Sequence, residues 1–218
     1  MLSIDRNLKR HCPALQIVCV QGTVAVSKSA DVLVQLLNAR AAQLSNQIAS
    51  PEIVSNPDVA ATRDAYRSLG KDPSRYRGSA EALLRRVTSG KALYFINNLV
   101  DINNLVSLES FFPVGSYDFT RLTGEIVFRI GKSGESYKGI GKDLINIADL
   151  PIFADNEGPF GSPTSDSERS MITSSTRQFA MMIISFAGKA DLNVPAERAI
   201  ELLTNHAHGS GLSFQIIS

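Results

Sequence analysis

Ile96-Asn-Asn-Leu-Val-Asp-Ile-Asn-Asn-Leu-Val-Ser-Leu-Glu109, followed by Phe112-Pro-Val-Gly-Ser-Tyr-Asp118, is where the chain passes from one hydrophobic period to another. The spacing from Phe95 to Ser110 predicts a helix. Asn97, Asp101 and Asn104 fall on one face at +4 and +3, while Leu99, Val100, Ile102, Leu105 and Val106 cover much of the rest. A helix of that content is expected to be buried, with a polar stripe. Phe112 to Asp118 reads as a tight Pro/Gly loop, and after Pro113 the pattern changes to period two with glycine turns.

Upstream, Ala14 to Val26 is rich in β-branched residues and reads as a strand with a bulge at Gly22. Ser27 or Ser29 is the expected cap of a helix over Asp31 to Ile48, whose Leu33, Leu36, Leu37, Ala41, Leu44 and Ile48 form one stripe. A second helix is expected from Pro57 to a terminating glycine at Gly70. A third runs from Ser79, the expected N-cap with Glu81 in the first turn, to Gly90.

Downstream, Glu125 to Ile130 and Glu135 to Ile140 read as a hairpin joined by Gly131-Lys-Ser-Gly134. Leu144 to Ile147 and Ile152 to Ala154 are expected short strands, and Asp155 to Ser167 a loop. Gln178 to Phe186 is nearly all apolar, as a central strand buried on both faces would be, although periodicity alone equally allows a buried helix. Asn193 is the expected cap of a helix ending before Gly209, and Leu212 to Ile217 the last strand. Helices and strands mix without βαβ regularity. The expected class is α+β: a single compact domain over residues 1–218, with a mixed or antiparallel sheet and several packed helices.

Composition excludes more than it specifies. Twenty-two Lys and Arg stand against 21 Asp and Glu, so the net charge of +1 supplies no global field for a polyanion. No window holds the roughly 18 apolar residues of a membrane span. Basic residues before an apolar run at the N-terminus suggest a secretory signal, but Pro13, Gln16 and Asp5 disrupt that pattern and favour a strand. Cys12 and Cys19 have neither metal-site nor thioredoxin-like spacing, which suits a reduced, cytoplasmic setting and small buried thiols.

Gly131-Lys-Ser resembles the end of a phosphate-binding loop, but Ile126 holds the required upstream glycine position. Gly139-Ile-Gly lacks the third glycine of a dinucleotide fingerprint. His206 and His208 have no third ligand at recognisable spacing and suit a helix C-terminus. No metal and no cofactor is expected, and no hydrolase signature is present. The positive signal is local: between Ala61 and Lys91 eight Lys and Arg face three Asp and Glu. That run suits phosphate contacts, or a solvated helical surface with ion pairs such as Asp64 with Arg67. The Asn97, Asp101 and Asn104 stripe suits a ligand's polar edges, or backbone groups of an irregular loop.

Four motifs in one order carry a resemblance. They are Gly70-x-x-Pro73, Arg77-x-Ser79-x-Glu81-x-Leu83-x-Arg85-Arg86, Asn97-Asn-Leu-Val-Asp-Ile-Asn103 and Pro113-x-x-x-Tyr117-Asp118. Together they resemble the tRNA-binding and editing module of the bacterial phenylalanyl-tRNA synthetase beta subunit, and more narrowly its free-standing relatives. The strong part spans about Tyr66 to Arg129, and a looser part reaches Phe186. The resemblance implies an RNA-related protein that binds tRNA or its aminoacyl end, with hydrolysis of mischarged aminoacyl-tRNA in trans. By the same resemblance Arg75, Arg77, Arg85 and Arg86 would meet phosphates, Asn97 and Asp101 would support the pocket, and Gly158, Gly161 and Ser162 would offer donors to the ester. The module's pocket histidine is replaced by Gly115, and the expected acidic residue has Glu168 and then Asp166 as nearest candidates. A rival expectation is a non-catalytic pocket for a free amino acid or similar metabolite.

Overall fold

The computed structural model describes residues 2–188 and 191–218. In chain order it comprises β1 (Leu2–Ile4), α1 (Arg6–His11), β2 (Gln16–Thr23), α2 (Asp31–Gln47), α3 (Pro57–Ser68), α4 (Ser79–Thr88) and α5 (Asn98–Ser110). There follow β3 (Val114–Asp118), β4 (Ile126–Ile130), β5 (Ser136–Lys138), β6 (Leu144–Asn146), β7 (Pro151–Asp155), β8 (Gly158–Gly161), β9 (Gln178–Ser185), α6 (Asn193–Ala207) and β10 (Ser210–Ile217). The fold is α+β, as expected.

β9 is the middle of the molecule because its side chains are apolar on both sides. Phe179, Met181 and Ile183 face a layer of helices, while Ala180, Met182 and Ile184 face a second sheet. It pairs antiparallel with β2 and β3 in a sheet of order β10-β2-β9-β3, which leaves β3 at an edge. Against one face lie α2, α4, α5 and α6, through Leu33, Leu37, Leu84, Leu105 and Leu202 among others. Against the other lies the sheet β1-β4-β7-β8, through Phe128, Phe153 and Phe160. The hairpin β5–β6 and Tyr66 cover the outer side of that second sheet, Tyr137 and Ile147 packing with Ile152 of β7.

The strand over β2 carries its irregularity where expected, with the extra residues on the partner. Gly211 and Leu212 of β10 stand opposite Gly22 between the pairs Ser210–Thr23 and Ser213–Gln21. A Cβ on Gly22 would lie 2.9 Å from the Ser210 carbonyl oxygen, so the close approach excludes any side chain. Gly70 follows α3 with φ of 75°, as a terminating glycine requires.

Several expectations are corrected. Phe112 to Asp118 is no tight loop, since Val114–Asp118 is a strand locked to β9. The Glu125–Ile140 hairpin does not form: β4 is flanked by β1, in parallel, and by β7, leaving no free edge for β5. Asp155 to Ser167 is not all loop, because Gly158–Gly161 pairs back onto β7. Neither Ser27 nor Ser29 caps α2, whose N-cap is Ala30. Ser27 instead donates its N–H to Asn98 and Ser29 its hydroxyl to Asp101, both on α5. The N-caps of α4 and α6 are Gly78 and Leu192, one residue before the serine and asparagine expected there.

Candidate functional site

β3 is an edge strand, and its register decides what that edge presents. Ile184 N–H donates to Pro113 O (3.0 Å), so Pro113, Gly115 and Tyr117 turn their backbone groups toward β9, and Val114 and Ser116 turn theirs outward. Outward of them lies a cavity of about 600 Å³, within the size range of small-ligand pockets. α4 contributes Ser79, Leu83 and Arg86, α5 contributes Val100, Asn103 and Asn104, and the segment after β8 contributes Thr164 and Asp166. Asn103 is fixed by its own bonds, donating Nδ2–H to Val114 O (3.3 Å) and accepting the Ser116 hydroxyl (3.0 Å). Ser79 is one of the lining residues, and its Oγ, covered by surrounding protein, has no partner among the described residues.

Segment 162–166, which forms the opposite wall, is pinned by three buried tyrosines from distant parts of the chain. The Tyr66 hydroxyl lies 2.6 Å from Thr164 Oγ1, Tyr137 donates to Ser165 O (2.5 Å) and Ser162 Oγ (3.2 Å), and Tyr117 donates to Asp166 Oδ1 (2.8 Å). Burial drives the Tyr117 phenol well above its ordinary pKa, and the Asp166 charge adds to the shift. Burial likewise lifts the Asp166 carboxyl to about 6, against the Tyr117 hydrogen bond, a backbone bond from Ser162 and the Lys142 charge. A carboxyl with a pKa near 6 on a cavity wall is mostly carboxylate at neutral pH and only about one unit from its midpoint, so it can accept and return a proton.

Tyr117 also explains Gly115. On β3 the two side chains share a face, and a Cβ on Gly115 would lie 2.5 Å from the Tyr117 hydroxyl oxygen. A Cβ on Gly161, across on β8, would meet the same ring. The phenol therefore runs between two glycines, edge-on to Phe153 and Phe160, and occupies the space a side chain at Gly115 would need.

The other candidate residues divide sharply. Asn97 is the N-cap of α5, its Oδ1 accepting Val100 N–H (2.9 Å). Asp101 is fully buried, accepting the Ser29 hydroxyl (2.5 Å) and Ile96 N–H (3.1 Å), with its pKa raised by burial. Both hold the entry to α5, and neither is on the cavity wall. Asn104 is. Gly158 closes the β7–β8 turn, its carbonyl accepting Arg169 (3.0 Å). Gly161 lies under Tyr117, and the Ser162 hydroxyl donates to Ser165 O (2.8 Å), so these three shape the loop rather than face the hollow. Glu168 is paired with Lys138 at 3.0 Å and lies off the wall, whereas Asp166 is on it.

The arginines have partners that sequence reasoning missed. Glu81, placed by its position in the first turn of α4 but almost fully buried, lies 3.0 Å from Arg63, 3.4 Å from Arg77 and 2.8 Å from Arg85. Arg67 meets Asp64 as the ion-pair reading held, and Lys71 meets Asp149 (3.3 Å). Arg86 donates Nε–H to Ala92 O (2.7 Å), and its guanidinium lies 3.9 Å over the Tyr94 ring. Arg75 is exposed and has no ion pair among the described residues. Among those residues no three His, Cys, Asp or Glu side chains gather as a metal site, and no helix is long and apolar enough to cross a membrane.

Comparison with known proteins places this architecture. No curated protein matches the chain. Among solved structures, the crystal structure of an N-terminal fragment of the phenylalanyl-tRNA synthetase beta subunit from Pyrococcus horikoshii is similar in fold, with a TM-score of 0.50 at 13% identity. The likeness covers 100% of this chain and 50% of that one, so the chain spans half the length of the fragment. The model of the B3/4 domain matches residues 61–205, which include most of α3, all of α4, α5 and β3, the tyrosine-pinned segment and most of α6. The chain belongs to the B3/4 domain family and is a relative of the synthetase beta-subunit module.

Proposed function

We propose that the chain, acting as one domain, seats the aminoacyl end of a tRNA in the cavity beside β3 and hydrolyses a mischarged ester there. The carrying observation is the placement of Asp166, held by Tyr117 and with its pKa lifted to about 6, on the same wall system as Asn103 and Asn104. Asp166 orients the attacking water and takes its proton, while the outward N–H of Ser116 faces the developing oxyanion. Leu83, Val100 and Val114 offer an apolar surface to the amino-acid side chain. The synthetase module's histidine has no counterpart, because the Tyr117 phenol occupies its place. Asp166 is therefore the group on which this reading depends. Deacylation assays across mischarged tRNAs test it: release above the buffer rate, lost in Asp166→Asn, supports hydrolysis, and release no faster than buffer removes it.

One observation favours a second reading, a non-catalytic pocket for a free amino acid or similar neutral metabolite. Glu81 engages three of the basic residues that would otherwise meet phosphates. Salt separates the two. Binding that involves phosphates weakens steeply between low and physiological salt, whereas a neutral ligand in the cavity is indifferent.

A further inference from the structure

Tyr94, Phe95 and Ile96 form a run of three consecutive large apolar residues left in solvent, 68%, 42% and 64% exposed. Their loop is not loose. Arg86 holds Ala92 O, Leu93 is buried in the helical core, and Asp101 accepts Ile96 N–H, so the chain is fastened on both sides of the exposed triplet. Fixed, exposed apolar side chains in a chain that buries most of its large residues mark a contact surface. Ile96 and Arg86 both line the cavity beside β3, which puts this surface at its mouth. Arg86 stacks over Tyr94 with no ion pair among the described residues, and Lys91, five residues on, is exposed and equally without one.

We infer that the Tyr94-Phe95-Ile96 rim is a stacking platform for the unpaired 3′-terminal nucleotide of an RNA strand. The base lies on the aromatic rim, the phosphate that precedes it meets Arg86 and Lys91, and the ribose is directed into the cavity. Aromatic faces accept any base, and a guanidinium already stacked on tyrosine extends the same surface. Charge selects the occupant: a rim flanked by two cations without carboxylate partners complements a polyanion. The inference rests on the reading that the cavity takes the aminoacyl end, and adds the partner chemistry that would hold the strand there.

The test uses fluorescence anisotropy with a short single-stranded RNA carrying a 5′ dye and a 3′-terminal adenosine, uncharged, beside the same strand with an abasic 3′ residue. Wild type is expected to bind the first about tenfold more tightly than the second. Phe95→Ala is expected to remove that difference and Phe95→Trp to restore it, with cooperative thermal unfolding retained because Phe95, 42% exposed, lies outside the hydrophobic core clusters. Equal binding of both strands, a Phe95→Ala loss shared by both, no binding at low salt, or a concentration-dependent dimer abolished by Phe95→Ala would each overturn the inference. Because the RNA is uncharged, ester hydrolysis plays no part in the readout. A failure here leaves the Asp166 assay free to succeed, and the reverse holds too.

Discussion

The Tyr117 hydroxyl donates a 2.8 Å hydrogen bond to Asp166 Oδ1 across 49 positions of sequence. It thereby joins the edge strand to the segment that closes the cavity. The phenol is a structural strut that ends on a carboxyl whose pKa of about 6 suits proton transfer. Its two roles make separate predictions.

The first concerns packing. In Gly115→Ala the new methyl meets the Tyr117 hydroxyl at 2.5 Å and its ring at 3.0 Å, in a core between two sheets that cannot easily yield. A loss of about 1–3 kcal/mol is expected by urea unfolding. In a Tyr117→Phe background the loss should shrink, because the nearer of the two contacts is gone. An unchanged loss in the double variant would show that the clash lies elsewhere.

The second concerns pH. Asp166 has a folded-state pKa of about 6, above the ordinary 3.8, so the native state binds more protons than the unfolded one between those values. Its contribution to stability is whole below about pH 4 and declines as pH rises through 6. Asp166→Asn keeps an acceptor for Tyr117 and should flatten that decline in denaturant titrations run from pH 4 to 7. A slope identical to wild type would mean the carboxyl is ionised as readily as a free one.

The third concerns charge. Removing the Glu81 carboxylate leaves Arg63, mostly buried, without its counter-ion. Glu81→Gln is expected to cost about 3 kcal/mol in urea unfolding. On an RNA ligand, Arg75→Ala should reduce the salt slope by about one and Arg77→Ala by less, since only Arg77 is already paired with an acid. Equal slopes for both variants would contradict the assignment of Glu81 as a sink for the cluster's charge.

How much of this was legible in the sequence depended on the distance over which each signal acts. The α5 helix and the proline-started α3 rest on local periodicity and capping, and they are found where expected; β9 rests on its continuous apolar run, which periodicity alone left open to a buried helix. The four ordered motifs identified the family that the domain match confirms. Glu81 is in the first turn of α4 as expected, but its burial among three arginines was not legible because it comes from packing that no helical pattern encodes. β8 was missed because Gly-Pro-Phe-Gly has little intrinsic strand preference, and it is held by a bidentate Arg169–Asp155 pair. The three tyrosines reach their partners over 98, 28 and 49 positions, so nothing in the sequence groups them. The cavity lies between the segments named for it, but Asn103, Asn104, Thr164 and Asp166 line it rather than Asn97 and Gly158. The polar stripe is divided in the structure: Asn97 and Asp101 hold the entry to α5, and Asn104 lines the cavity.

Reception of an aminoacyl end by that cavity is the central claim. Calorimetric titration of a non-hydrolysable 3′-aminoacylamido adenosine into wild type and into Leu83→Trp, which fills the hollow from α4, tests it most directly. Saturable binding to wild type, abolished in a Leu83→Trp variant that still unfolds cooperatively, is the predicted result. No heat with wild type, or equal affinity for both proteins, would contradict it.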